Sequence, residues 1–167
     1  EVATCIAESP GGITYVGGFT ASNPLGTTGS PFMASYQGGT YDAFMARYDP
    51  AGTLQYATYV GGAGTDRGHS IALESSGGNV YLAGATTSTP AVGVLSTFGA
   101  YHTTNLGGSD GFLIKFNNVG ARQWCTFYGG AGTDSITAVT VDASNNVYIV
   151  GQTTSTTSIA SSPTVYQ

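Results

Sequence analysis

The chain has 167 residues, of which 41% are hydrophobic, 11% aromatic and only 8% charged. That length can bury one core of ordinary size, and the aromatic and β-branched content argues against disorder. Four basic residues against nine acidic ones leave a net charge of −5, so no basic patch exists to neutralise phosphates and nucleic acid is disfavoured as a partner. No apolar run is long enough to span a bilayer. Glu1-Val2-Ala3 has no signal-peptide character and reads as the interior of a longer or trimmed chain. The uncharged, Thr- and Tyr-rich composition points to an extracellular or cell-surface setting.

In chain order, the first expected strand covers residues 4–7 and enters the turn Ser9-Pro10-Gly11-Gly12. A second strand, 14–18, follows at once, then a Thr/Ser/Pro/Gly loop over 19–37 that closes on Tyr36-Gln37. A loop this long with a fixed anchor is the kind that carries function. The third strand, 42–48, alternates: Phe44, Ala46 and Tyr48 share one face and Arg47 falls on the other. After Asp49-Pro50-Ala51-Gly52, a fourth strand covers 55–60 and runs into Gly61-Gly62-Ala63-Gly64-Thr65-Asp66.

The same order then returns. Expected strands cover 70–73, 80–84, 110–116 and 123–128, with a loop over 85–102 that closes on Tyr101-His102. The glycine turn recurs as Gly129-Gly130-Ala131-Gly132-Thr133-Asp134, a step of 129 − 61 = 68 residues. A third pass supplies strands at 138–141 and 147–151 and a loop closing on Tyr166-Gln167. Residues 1–60 and 61–128 are thus two repeats, and 129–167 is a half repeat with two inner strands and a loop. No stretch has helical periodicity.

Self-similarity at this period, built of consecutive hairpins, predicts an all-β protein of β-propeller-like, four-stranded antiparallel blades. The first two strands of each repeat are apolar throughout and are expected inside. The third and fourth are more amphipathic and are expected outside.

The run Asp-Ala-Phe-x-Ala-Arg, Tyr-x-Thr-Tyr-x-Gly-Gly-x-Gly-x-Asp and Ile-Ala-x-Glu-x-x-Gly-x-Asn-Val-Tyr-x-Ala-Gly-x-Thr, over residues 42–86, resembles the SBBP-type β-propeller repeat. That resemblance covers nearly the whole chain. It implies blades of a large secreted or surface protein and carries no catalytic residues.

Candidate chemistry is sparse. Gly-Gly-Ala-Gly-Thr-Asp resembles half of a calcium-binding nonapeptide, which makes Asp66 and Asp134 calcium candidates. Such sites need tandem copies nine residues apart, so glycine turns capped by those aspartates are the better reading. Gly61, Gly62, Gly64, Gly129, Gly130 and Gly132 belong to these turns, and Asp42 and Asp110 are expected to cap backbone groups at the entry to the third strand. Tyr36, Tyr101 and His102 are the loop candidates for ligand binding. Tyr56, Tyr59, Trp124 and Phe127 could form a sugar-stacking platform, but on an outer strand packing against the next blade is the better reading. His69 and His102 are expected to be structural. No metal or cofactor is expected. Cys5 and Cys125, on opposite edges of different repeats, are expected to lie beyond the roughly 7 Å reach of a disulfide.

The function these features favour is a non-enzymatic structural or adhesive module, a scaffold or a subunit of a larger surface assembly or filament. The partner would be protein, either the rest of a longer chain or neighbouring copies completing the half repeat. A lectin-like propeller that binds glycan through the long loops, or non-catalytic blades of a secreted enzyme, are the alternatives.

Overall fold

The computed structural model describes residues 1–26, 29–89 and 95–159. Tyr166 and Gln167 lie outside the described residues. The strands are β1 (Val2–Glu8), β2 (Thr14–Thr20), β3 (Asp42–Tyr48), β4 (Leu54–Val60), β5 (Asp66–Leu73), β6 (Asn79–Thr86), β7 (Asp110–Asn117), β8 (Arg122–Tyr128), β9 (Asp134–Val141) and β10 (Val147–Thr153). Among the described residues there is no helix.

The protein is all-β and antiparallel. One four-stranded sheet has the order β1-β2-β3-β4, a second has β5-β6-β7-β8, and β9 pairs with β10 alone. Neighbours in sequence are neighbours in the sheet, because each pair is joined by a hairpin or a single loop. The hairpin turns need left-handed backbone, which Gly12 and Gly77 supply in the first two sheets and Asn145 in the third.

Register makes the repeat physical. The row Ile6, Val16, Ala46, Ala57 runs across the first sheet. Its equivalent in the second sheet is Ile71, Leu82, Ile114, Cys125. The second row is buried against the first sheet, in a core with Tyr15, Met45, Tyr56, Phe112, Phe116 and Phe127. The opposite face of the second sheet presents Tyr81, Ala83 and Leu113, which pack on Ile136 and Val139 of β9. Three sheets therefore stack in series, with the second covered on both faces. Their approach is close: a β-carbon on Gly17 would stand 2.9 Å from Leu82 Cδ1, and one on Gly68 would stand 3.1 Å from it. Leu82 fits because glycine faces it at both positions.

Burial corrects the expected inside–outside order. β3 and β7 are buried on both faces over most of their length, whereas β1 is largely exposed. β1 and β3 share a sheet, so the difference lies in what covers its outer face: Ser22 and Met33, between β2 and β3, bond Thr58 and Tyr59 of β4 and leave β1 open. The amphipathic look of the third strand came from Arg47 and Lys115, which sit near the hairpin end and are only half-buried. The strands also begin earlier than expected: Asp66 and Asp134 open β5 and β9.

Candidate functional site

The recurring chemistry lies where one sheet hands the chain to the next. Asp66 opens β5 and is fully buried. Its Oδ2 accepts from the Gly62 backbone N–H at 2.9 Å and from Ser88 Oγ at 2.8 Å, and its Oδ1 accepts from Thr86 Oγ1. Asp134 repeats the pattern with Gly130 N at 2.8 Å and Ser155 Oγ at 2.7 Å. Asp42 Oδ2 accepts from Gln37 N at 2.6 Å, and Asp110 Oδ2 from Leu106 N at 2.9 Å. All four aspartates thus bind loop N–H groups in a buried setting.

The aspartates also come in pairs. A β-carbon on Gly61 would stand 2.7 Å from Asp66 Oδ2 and 2.8 Å from Asp42 Oδ1. One on Gly129 would stand 2.8 Å from both Asp110 Oδ1 and Asp134 Oδ2. Asp42 Oδ1 and Asp110 Oδ1 are buried with no hydrogen-bond partner. Burial drives the Asp42 carboxyl up to about 7, against the Gln37 hydrogen bond and with help from the charge of Asp66. Asp110 is raised by burial too, and by the charge of Asp134. Burial also outweighs the hydrogen bonds of Asp66 and raises it. At Asp134 burial acts in the same direction, but hydrogen bonds from Thr153, Gly130 and Ser155 prevail and hold it below the usual range. The two-stranded sheet covers Asp134 less deeply than the four-stranded sheet covers Asp66.

The turn glycines are present for room rather than for unusual backbone. Gly61, Gly62, Gly64, Gly129, Gly130 and Gly132 are all absent from the positive-φ glycines. A β-carbon on Gly62 would meet Ser88 Oγ at 2.9 Å, one on Gly64 would meet Thr87 Oγ1 at 2.6 Å, and one on Gly132 would meet Thr154 Oγ1 at 2.5 Å. One on Gly130 would meet Ser155 Oγ at 2.9 Å. The Thr-Thr-Ser segments that close these turns, residues 86–88 and 153–155, were missed by the motif reading. Their signal was visible: Thr-x-Ser recurs at 20–22, 86–88 and 153–155.

The loop candidates sit apart from the aspartates' hydrogen bonds. Tyr36 donates to Gly39 O at 2.7 Å and packs edge-on to Tyr59. Tyr101 stacks on His102 at 4.2 Å and on Tyr128 at 5.5 Å, and remains 38% exposed. The His102 backbone pairs with Phe127 at the edge of β8. Tyr56, Tyr59, Trp124 and Phe127 pack internally, the reading preferred to a sugar-stacking platform. Tyr56, Tyr59 and Phe127 are buried in the core, and Trp124 packs at a tilt against Tyr81. His69 Nδ1 lies 3.0 Å from Ile136 O and ties β5 to β9. Among the described residues no group of three or more His, Cys, Asp or Glu could hold a metal. Cys5 and Cys125 are free thiols, and burial raises both.

A concavity lies on the third sheet. A cavity of about 530 Å³ runs beside β10 and is lined by Tyr128, Ile136, Tyr148, Val150 and Ile159 among others. Tyr148 and Val150 are 55% and 63% exposed. Their equivalents in the second sheet, Tyr81 and Ala83, are buried.

Searched against protein-family models and curated proteins, the chain matches no family model and no curated protein. The site must therefore be read from its own chemistry.

Proposed function

We propose that the chain is a non-enzymatic, extracellular structural or adhesive module of SBBP-type propeller blades, acting as a scaffold or as a subunit of a larger surface assembly. The observation that carries this reading is the serial stacking of equivalent sheets with apolar side chains left exposed on each terminal face. Ile71 is 8% exposed beneath the first sheet, while its counterpart Ile6, on the outer face of that first sheet, is 69% exposed. At the other end Tyr148 and Val150 are exposed where Tyr81 and Ala83 are covered. The two faces are the same two kinds that meet inside the molecule. A heterologous, head-to-tail contact between them extends the stack, and open extension of that kind yields a filament or a ring.

The buried aspartates fit the same reading, since each holds a loop N–H group through Oδ2. Electron microscopy of the purified chain at rising concentration tests it. Rows or rings of stacked units are expected. Single particles at every concentration, together with glycan-array binding that is lost on Tyr101→Ala, would replace this reading with the lectin-like one.

A further inference from the structure

We propose that the free edge of β10 is an acceptor for an incoming antiparallel β-strand of the β7 pattern: Asp, a small residue, Phe, two apolar residues, Lys or Arg, and an aromatic. The proposal rests on the repeat-assembly reading for the source of the strand, but its own grounds are local.

The molecule shows twice what covers this edge. β2 carries β3 and β6 carries β7, each antiparallel. β10 is their equivalent, and among the described residues it pairs with β9 only. The register across the filled edges sets Thr20 opposite Asp42, Gly18 opposite Phe44 and Tyr15 opposite Arg47. It likewise sets Thr86 opposite Asp110, Gly84 opposite Phe112 and Tyr81 opposite Lys115. On β10 the matching positions are Thr153, Gly151 and Tyr148.

Three features of β10 fit those partners. The first is a seat for the phenylalanine. A β-carbon on Gly18 would stand 3.0 Å from Phe44 Cε1, and one on Gly84 would stand 3.0 Å from Phe112 Cε1. Glycine at both places makes room for the ring of the next strand. Gly151 keeps the glycine and is exposed, and the atoms nearest to a β-carbon there belong to Ser135 and Ile136 of its own sheet.

The second is a charge with a vacant side. Glu74 accepts from Tyr81 Oη at 2.8 Å and Asn79 Nδ2 at 2.6 Å, and pairs with Lys115 Nζ at 2.8 Å. Asp142 repeats the first two contacts, with Tyr148 Oη at 3.0 Å and Asn146 Nδ2 at 2.8 Å. The cation that completes the set in the second sheet comes from β7, which has no counterpart beside β10 among the described residues. A basic residue opposite Tyr148 would reach Asp142 and lie over the tyrosine ring, as Lys115 does at 5.2 Å from the Tyr81 ring. The third is the apolar cavity beside this edge, walled by Tyr128, Ile136 and Ile159. Backbone pairing then supplies affinity, and the Phe seat and Asp142 supply selectivity.

The test uses the full chain and a fluorescent peptide with the sequence of residues 108–118, read by anisotropy. Saturable binding is expected, weakened about tenfold or more by Asp142→Lys in the chain. A peptide with Glu in place of the lysine should bind the wild-type chain poorly and regain affinity for Asp142→Lys. A wild-type chain that stays folded by circular dichroism and takes up no peptide overturns the proposal. So does binding that is alike for Lys and Glu peptides in both chains. Peptide uptake by a chain that never assembles removes the assembly reading and leaves the acceptor standing. Assembly without peptide uptake does the reverse.

Discussion

Asp42 Oδ1 and Asp66 Oδ2 face one another across the α-carbon of Gly61, at 2.8 and 2.7 Å from where a β-carbon would stand. One belongs to the first sheet and the other opens the second. Burial is the main force holding Asp42 up, to about 7, and the charge of Asp66 beside the same glycine adds to it; burial raises Asp66 as well. In the unfolded chain Asp42 ionises near its ordinary value of 3.8. The folded state therefore holds the extra proton between those values. The stability that Asp42 contributes is fully present at low pH and is lost as pH rises toward 7. Asp42→Asn keeps a neutral group there and should flatten the fall in thermal midpoint across this range, by roughly 1–3 kcal/mol at its upper end. A variant whose midpoint falls as steeply as the parent's would show that Asp42 is not the group responsible.

Glu74 acts with the opposite sign. Burial raises it, but hydrogen bonds from Lys115, Asn79 and Tyr81 prevail and hold it below its ordinary 4.5. Its contribution is present above that value and is lost as pH falls through the lower, folded one. Glu74→Gln leaves Lys115 without its counter-charge and should cost roughly 1–3 kcal/mol at neutral pH. Urea denaturation at neutral and acidic pH checks both points. The difference between variant and parent should shrink in acid.

Gly61→Ala and Gly129→Ala each drive a methyl group between two aspartates. Each is expected to destabilise by about 1–3 kcal/mol or more, the cost of overpacking a filled site. Gly52→Ala is the contrast: its β-carbon meets nothing within 4 Å, and its φ of 80° is the only source of cost. Thermal melts of the three variants separate crowding from backbone strain. A loss at Gly61 smaller than that at Gly52 would refute the crowding argument.

A chelator should leave the thermal midpoint unchanged. Asp66 commits both oxygens to Gly62, Ser88 and Thr86, and Asp134 holds Gly130 and Ser155 through Oδ2; among the described residues no group of three or more His, Cys, Asp or Glu gathers to hold a metal. A midpoint that drops on adding chelator and returns with calcium would make these turns metal sites.

Much of the fold was legible because hairpins leave local marks. Gly12, Gly77 and Asn145 announce turns, and the recurrence of Tyr15, Tyr81 and Tyr148 sets the register of equivalent strands. Burial was less legible, because it depends on which sheet lies over which. Nothing local distinguishes Ile6 from Ile71, yet one is exposed and the other is core. The aspartate pairs were legible only singly. Asp42 and Asp66 meet through tertiary stacking, and the glycine turn that contains Asp66 does not contain Asp42. The strand-edge site on β10 became visible only once β6 and β7 showed what a filled edge looks like.

Hydrogen exchange of the full chain over a concentration series tests the central claim most directly, because it reports which surfaces become covered. The account predicts that β10 and β1 gain protection as the mass in solution rises, while β6 and β7, already enclosed, stay unchanged. A chain that remains a monodisperse monomer with a cooperative melt, or that associates with no added protection at β10 and β1, would contradict it.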